Sequence, residues 1–292
     1  MSAVKAWFAR DAGPISLRLP NGMRVWVTRA AAAETRFIYR EIFEDRCYEQ
    51  QGIAPAAQGV VLDVGANVGL FALRMKQLAP SCTVYCFEPV PATYACLEKN
   101  VAGVGAEVLN AALSDRVGLV SMTFFPRTPG NSTLYPEGKP GEVSSMADTA
   151  PLSWVWQLDR VAAIGLALAY PLRRIILRTS FRHLLRERQT FTCATRTLDD
   201  FIAERRLDSV DLLKIDVEGA ERDVMNGLSD ENLARVRQLI IEVSPDKKAW
   251  LHALRQRLSD SGFTQLSLHS MLRAGDAEHD AFPCVLYAKR DP

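Results

Sequence analysis

GVVLDVGANVGLFALRMKQLA, residues 59 to 79, decides how the chain folds. Val60 to Leu62 make a continuous apolar strand, Asp63 to Gly69 turn the chain, and the segment from Leu70 has helical character. TVYCFEP (83 to 89) is again strand-like and PATYACLEKNVAG (91 to 103) again helical, and this alternation is the mark of a parallel sheet. A third strand is expected near Glu107 to Asn110, then an extra β-excursion from Val117 to Phe125. The regular pattern resumes at the Thr197-led helix TLDDFIAERRL and runs through strand VDLLKID, helix AERDVMNGL, strand QLIIEVS and helix KKAWLHALRQRLSDSG. Two closing strands follow, near 263 to 268 and 282 to 288.

Around this core lie two additions. Residues 1 to 58 form an N-terminal extension: ISLRLPNGMRVWVT (15 to 28) alternates about Pro20, Asn21 and Gly22 as a β-hairpin. Arg36 to Gln51 then places Phe37, Ile38, Ile42, Phe43 and Tyr48 at near-helical spacing, a helix expected to cover one edge of the domain at 59 to 292. Residues 126 to 190 read as an insertion, a Pro, Gly, Ser and Thr-rich loop followed by helix from 152 to 188 with a break at Pro171. This insertion is the expected substrate lid.

Bulk properties exclude several classes. With 292 residues, 48% hydrophobic and 24% charged, the chain has ordinary globular composition, which gives no support to a fibrous or disordered reading. Its net charge of +1 gives no overall field for a polyanion, so no nucleic-acid partner is expected. No secretory signal is evident around Lys5, Arg10 and Asp11, and the apolar run from Val161 to Leu172 is too short to span a bilayer, which reads as a cytoplasmic protein. The six cysteines contain no CxxC pair and the four histidines have no ligand spacing, so no metal is expected.

The turn after the first core strand carries the chemistry. Gly65 and Gly69 let a ligand and a neighbouring helix come close. A dinucleotide fingerprint needs GxGxxG, but positions 65, 67 and 70 are Gly, Asn and Leu. What stands there is Asp-x-Gly-x-Asn-x-Gly. Asp63 would repel a pyrophosphate and attract the ammonium of a methionine moiety, directly or through water, which favours S-adenosylmethionine. Glu88, at the end of the second strand, suits both hydroxyls of a ribose.

Taken in order, VVLDVGANVGLFAL (60 to 73), CFEPVPATYACLEKN (86 to 100), NAALSD (110 to 115), TRTLDDF (195 to 201), LLKIDVEGAERDVMNGL (212 to 228) and IIEVSP (240 to 245) resemble the FkbM-family methyltransferases. The resemblance implies a class I methyltransferase fold, Rossmann-like, with a mostly parallel seven-stranded sheet and helices on both faces. It also implies S-adenosylmethionine as cofactor and transfer of its methyl group to a hydroxyl. By position, Asp63, Gly65, Ala66, Asn67 and Gly69 would hold the methionine part and Glu88 the ribose, with Ala111 and Ala112 beside the adenine.

Lys214, Asp216 and Glu218 sit at a buried strand and its exit, and period-2 alternation puts the first two on one face. They are the catalytic candidates. Asp216 could orient or deprotonate an acceptor hydroxyl as well as touch the cofactor, Glu242 could join them, and the plainer reading is an ion pair that shapes the pocket floor. Arg174, Arg178, Arg182 and Arg186 recur every four residues as a basic helical stripe, a solvated face or a docking surface for an acidic partner or anionic membrane. The apolar side of that helix is expected to line the acceptor pocket. The acceptor is expected to be a small molecule, a sugar or a carrier-linked intermediate, as in secondary metabolism. Two other readings are an RNA ribose 2'-O-methyltransferase and a catalytically inactive cofactor-binding partner subunit.

Overall fold

The computed structural model describes residues 13–139, 141, 173–243, 248–270 and 284–291. Its strands are β1 (Pro14–Arg18), β2 (Arg24–Thr28), β3 (Val60–Val64), β4 (Thr83–Phe87), β5 (Ala106–Leu109), β6 (Ala112–Leu113), β7 (Gly118–Phe124), β8 (Gln189–Arg196), β9 (Val210–Ile215), β10 (Val236–Val243), β11 (Gln265–Ser270) and β12 (Cys284–Lys289). Its α-helices are α1 (Ala32–Tyr39), α2 (Leu70–Leu78), α3 (Pro91–Val101), α4 (Arg173–Leu184), α5 (Leu198–Arg205), α6 (Glu221–Asn226), α7 (Asp230–Leu233) and α8 (Lys248–Asp260).

Seven strands form the main sheet in the order β11-β12-β10-β9-β3-β4-β5. β3, β4, β5, β9 and β10 run parallel, and β12 is antiparallel to both of its neighbours. The centre is dry on both faces: all of Val210–Ile215 is buried, and two apolar clusters lie on the sheet. One holds Phe71, Leu97 and Val61 with the N-terminal hairpin, the other Phe87, Phe201 and Leu213. That two-sided burial is why the strands read as unbroken apolar runs rather than alternating ones.

Chain direction across the sheet reverses between β3 and β9, since β4 and β5 lie to one side and β10 to the other. Open α/β sheets leave a crevice at such a switch point, beyond the carboxyl ends of the strands. A cavity occupies that place here.

The additions differ from expectation in two ways. The predicted helix over 36 to 51 starts earlier, at Ala32, and passes into a π turn at Arg40–Glu44 and a 3-10 segment at Cys47–Gly52. It does not cap a sheet edge, because Phe37, Ile38, Glu41, Ile42 and Tyr48 face the cavity. The β-excursion is part of a three-stranded sheet, β6-β8-β7, whose β8 begins inside the expected insertion. Thr-rich QTFTCATR has only weak alternation, so its pairing with β7 is visible only in three dimensions. Residues 142 to 172 of the insertion lie outside the described residues. Among the described residues, no helix is long and apolar enough to cross a membrane.

Candidate active site

The first corner is built around one carbonyl and one carboxylate. Gly65, at φ +80°, and Ala66 both donate their N–H groups to the Phe87 carbonyl, at 3.1 and 3.0 Å. Asn67 follows in the left-handed region, at φ +48°, and its N–H donates to Glu88 Oε2 at 2.9 Å. Glu88 Oε1 accepts from the Val90 N–H at 2.9 Å, so this buried carboxyl is aimed by two backbone donors. Burial raises it to about 7 against the pull of those hydrogen bonds. Asn110 Nδ2 donates to the Glu88 carbonyl at 2.8 Å and ties the third strand's end to the same point.

The second corner follows β9. Lys214 is 4% exposed, and its ammonium meets the Gly65 carbonyl at 2.9 Å, Asp63 Oδ1 at 3.2 Å and Asp216 Oδ2 at 3.3 Å. The ammonium donates to the carbonyl and forms ion pairs with both carboxylates. Although burial works against the charge, Asp63 and Asp216 hold the ammonium well above the ordinary lysine range. Lys214 therefore carries no proton to or from a substrate near neutral pH; it joins the two corners. Asp63 is fully buried, its carboxyl raised by burial and drawn back by Lys214.

A cavity of about 230 Å³ opens between the corners. Gly65, Ala66, Asn67, Glu88, Ala111 and Ala112 line one part of it, and Lys214, Asp216, Glu218 and Glu242 another. Asp63 and Gly69, both expected at the cofactor, stand off the cavity lining. Asp63 is fully buried and pairs with Lys214, which does line the cavity. Gly69 is the left-handed N-cap of α2, where a Cβ would lie 2.7 Å from Leu97 Cδ1, so it serves the close approach of α2 and α3.

Several lining residues were not singled out in the sequence. Glu34 on α1 accepts from Thr128 Oγ1 at 2.6 Å and from the Gly130 N–H at 3.0 Å, joining the N-terminal extension to the loop at 129 to 134. Thr133 Oγ1 donates to the Glu218 carbonyl at 2.6 Å, and buried Lys139 pairs with the Glu218 carboxylate. The loop is thereby fastened over the cavity from both sides. Glu41 is raised to about 8 by burial and by Asp216, Asp45 and Glu218; burial, then Asp216, Glu218 and Glu41, push Glu242 well above its usual range. Only the Pro-Gly-Ser-Thr composition of the loop signalled any of this, and it identified a loop without its address.

Helix α4 corrects a further expectation. Ile175 and Ile176 on it are 62% and 39% exposed, and among the described residues it contributes nothing to the cavity lining. Arg178 is half-buried, Arg182 and Arg186 are exposed, and the side chain of Arg174 lies outside the described residues.

Among described residues the lining holds one cation, Lys214, already paired with Asp63 and Asp216, against the acids Glu34, Glu41, Glu88, Asp216, Glu218 and Glu242. Burial and crowding hold Glu41, Glu88 and Glu242 above their usual range, so the cleft disfavours a pyrophosphate, whereas a sulfonium nucleoside with an ammonium group brings the positive charge that lets these acids ionise. No group of three or more His, Cys, Asp or Glu side chains disposed to hold a metal ion is found among the described residues.

The sheet order, the glycine corner and this acidic cleft define a class I S-adenosylmethionine-dependent methyltransferase. The methyltransferase FkbM domain matches residues 63–264, and the chain belongs to that family. It is 34% identical over 266 residues to the 31-O-demethyl-FK506 methyltransferase FkbM of Streptomyces tacrolimicus, covering 90% of this chain and 94% of that one. Methyltransferase 1 of Beauveria bassiana is 32% identical over 254 residues, 85% of this chain and 88% of that one. The crystal structure of methyltransferase FkbM from Methylobacillus flagellatus superposes with a TM-score of 0.44 and 14% identity, over 82% of this chain and 46% of that chain.

Proposed function

We propose that the enzyme methylates a hydroxyl group of a small-molecule, sugar or carrier-linked acceptor in secondary metabolism. The observation that carries this reading is the Asp216 carboxyl, whose side chain is 24% exposed at the cavity while its companion Asp63 is sealed. An acidic oxygen at the carboxyl end of a central strand is placed to receive the proton that a hydroxyl sheds as it attacks. The name of the Streptomyces tacrolimicus relative, which specifies an O-methylation, supports the same chemistry.

Bound S-adenosylmethionine supplies a methyl group already activated on sulfur. Asp216 would orient the acceptor hydroxyl toward that methyl group and take the proton it sheds as the oxygen is methylated. The remaining work of the protein is alignment and exclusion of water. Phe37, Ile38, Phe71 and Leu134 supply apolar wall for that purpose. Gly65, Ala66 and Asn67 would hold the methionine part, Glu88 the ribose, and Ala111 and Ala112 the adenine.

The reading is tested by offering tritium-labelled methyl donor with 31-O-demethyl-FK506, glucose oligomers and a hydroxyacyl-pantetheine. The label should enter a product stable to mild base, as an ether is and a methyl ester is not. Asp216→Asn should lower turnover about 100-fold, the usual weight of a general base, with S-adenosylhomocysteine affinity within about threefold. Label on nitrogen or in an ester, or unchanged turnover by this variant, contradicts the proposal.

Glu88 adds a pH test. An ionised carboxylate accepts two ribose hydroxyls better than a protonated one, so binding should lower its proton affinity. Below a free-protein value of about 7, binding must then release a proton, and S-adenosylhomocysteine affinity should fall as pH drops from 8 to 6. Calorimetry in two buffers of different ionisation heat measures that proton. Glu88→Gln should bind more weakly and show a shallower pH dependence, what remains coming from Glu41 and Glu242 in the same lining; a Gln variant with the wild-type pH profile would remove Glu88 from the ribose.

A further inference from the structure

Two donors converge on a single oxygen of Asp216. Lys214 Nζ lies 3.3 Å from Oδ2, and the Tyr48 hydroxyl donates to the same Oδ2 at 3.3 Å. No described residue takes up Oδ1. Tyr48 comes from the N-terminal extension, 168 residues away in sequence and before the family-matched segment at 63–264.

The segment that delivers Tyr48 is anchored on both sides of it by side chains of α2 and β12. Next to it, the two carboxylate oxygens of Glu49 accept from Nε and Nη2 of Arg74, on α2, at 2.7 and 2.9 Å. The Cys47 carbonyl accepts from the Tyr287 hydroxyl on β12, and Lys289 Nζ donates to the Gly52 carbonyl at 3.0 Å. The Tyr48 ring meets Phe71 edge-on at 5.4 Å and lies 5.7 Å from the Lys214 ammonium, and it is 7% exposed. Burial and the neighbouring carboxylates keep its hydroxyl protonated and hence a donor.

We propose that Tyr48 is a positioning residue for methyl transfer: with Lys214 it locks Asp216 through Oδ2 and leaves Oδ1 as the oxygen offered to the acceptor hydroxyl. A carboxylate held by one donor can swing about its side-chain bond, whereas two donors from different elements fix its plane. Packing alone would be served by phenylalanine at this position; the hydroxyl is what reaches Asp216. The proposal rests on the reading that Asp216 addresses the acceptor.

Tyr48→Phe keeps the ring and removes only the hydroxyl. With the acceptor that scores in the labelled-methyl panel, kcat should fall about tenfold, the weight of one hydrogen bond. KM for the acceptor and the dissociation constant for S-adenosylhomocysteine should stay within about twofold. A kcat within twofold of wild type overturns the proposal, as does a fall in kcat matched by equal losses of S-adenosylhomocysteine affinity and thermal stability. A second readout needs no turnover. In protein labelled with carbon-13 at tyrosine Cζ and saturated with S-adenosylhomocysteine, the resonance missing from Tyr48→Phe should shift in Asp216→Asn, and a resonance that stays put overturns the contact. Should Asp216→Asn turn over normally, the acceptor reading fails even where that shift is seen. Should Asp216→Asn lose turnover while Tyr48→Phe keeps it, only the role of Tyr48 fails.

Discussion

Lys214→Met is expected to lower the unfolding free energy by about 3 to 5 kcal/mol at pH 8, the usual cost of leaving a buried charge without its partner. Methionine has the length and apolar stem to fill the same space between Tyr48 and Phe71, so no large cavity arises. The loss is electrostatic. Asp63, fully buried, would face no cation, and the Gly65 carbonyl would lose a donor. At roughly 2 to 4 °C per kcal/mol for a chain of this size, the melting temperature should drop by about 10 °C.

The sign of its pH dependence follows from Asp63. Burial already raises this carboxyl, and removing Lys214 takes away the main influence that draws it back. A group whose folded value lies above its unfolded one binds more protons when folded, so its contribution is present below the unfolded value and fades as pH rises through the folded one. The variant should therefore lose less stability at pH 5 than at pH 8. Asp63→Asn combined with Lys214→Met should recover much of the difference, since the stranded charge is gone. Thermal melts of the three proteins at both pH values check this, and equal losses at pH 5 and 8 would show that Lys214 stabilises by packing.

Much of the fold was legible because the β3 to α3 and β9 to β10 segments are governed by local chemistry. Apolar strands end in glycine corners, and the period changes from continuous to helical within a few residues. The charge logic of the cofactor choice was legible too, although the acids that enforce it are mainly not Asp63. Glu34, Glu41 and Tyr48 reach the cavity from an extension whose spacing marks Phe37, Ile38 and Ile42 as one apolar stripe. Such a stripe looks the same whether it covers a sheet edge or a ligand, and the π turn that redirects it has no sequence signature. The basic helix misled for a related reason. Amphipathicity predicts that an apolar face is covered, yet Ile175 and Ile176 are exposed on α4. Residue spacing specifies a face; only the fold specifies what stands opposite.

Gly65→Ala should abolish saturable binding of S-adenosylhomocysteine at accessible concentrations, a weakening of at least about 1000-fold, or more than about 4 kcal/mol. A Cβ at this position would lie inside contact distance of the Asp216 carbonyl oxygen and 2.9 Å from its carbonyl carbon. The obstacle is backbone, held by the Asp216 N–H donating to the Val64 carbonyl at 3.1 Å, so no side-chain rotation relieves it. A positive φ of 80° adds roughly 1 to 2 kcal/mol of strain for any residue with a Cβ. To accommodate the methyl group, the corner after β3 and the exit of β9 must part, and Gly65, Ala66, Asn67 and Asp216 would move together. Gly69→Ala is the contrasting case. Its φ of 88° carries a similar strain, and the new Cβ would meet the ends of Leu97 and Val101, 2.7 and 3.1 Å away, buried side chains of α3 rather than the backbone of the Gly65 corner. That variant should lose about 2 to 5 kcal/mol of stability in urea titrations, strain and overpacking together, and keep S-adenosylhomocysteine affinity within about threefold. If both alanines weakened binding equally, the cofactor site would depend on the α2 to α3 contact as much as on the Gly65 corner, and the distinction between lining and supporting glycines would fail.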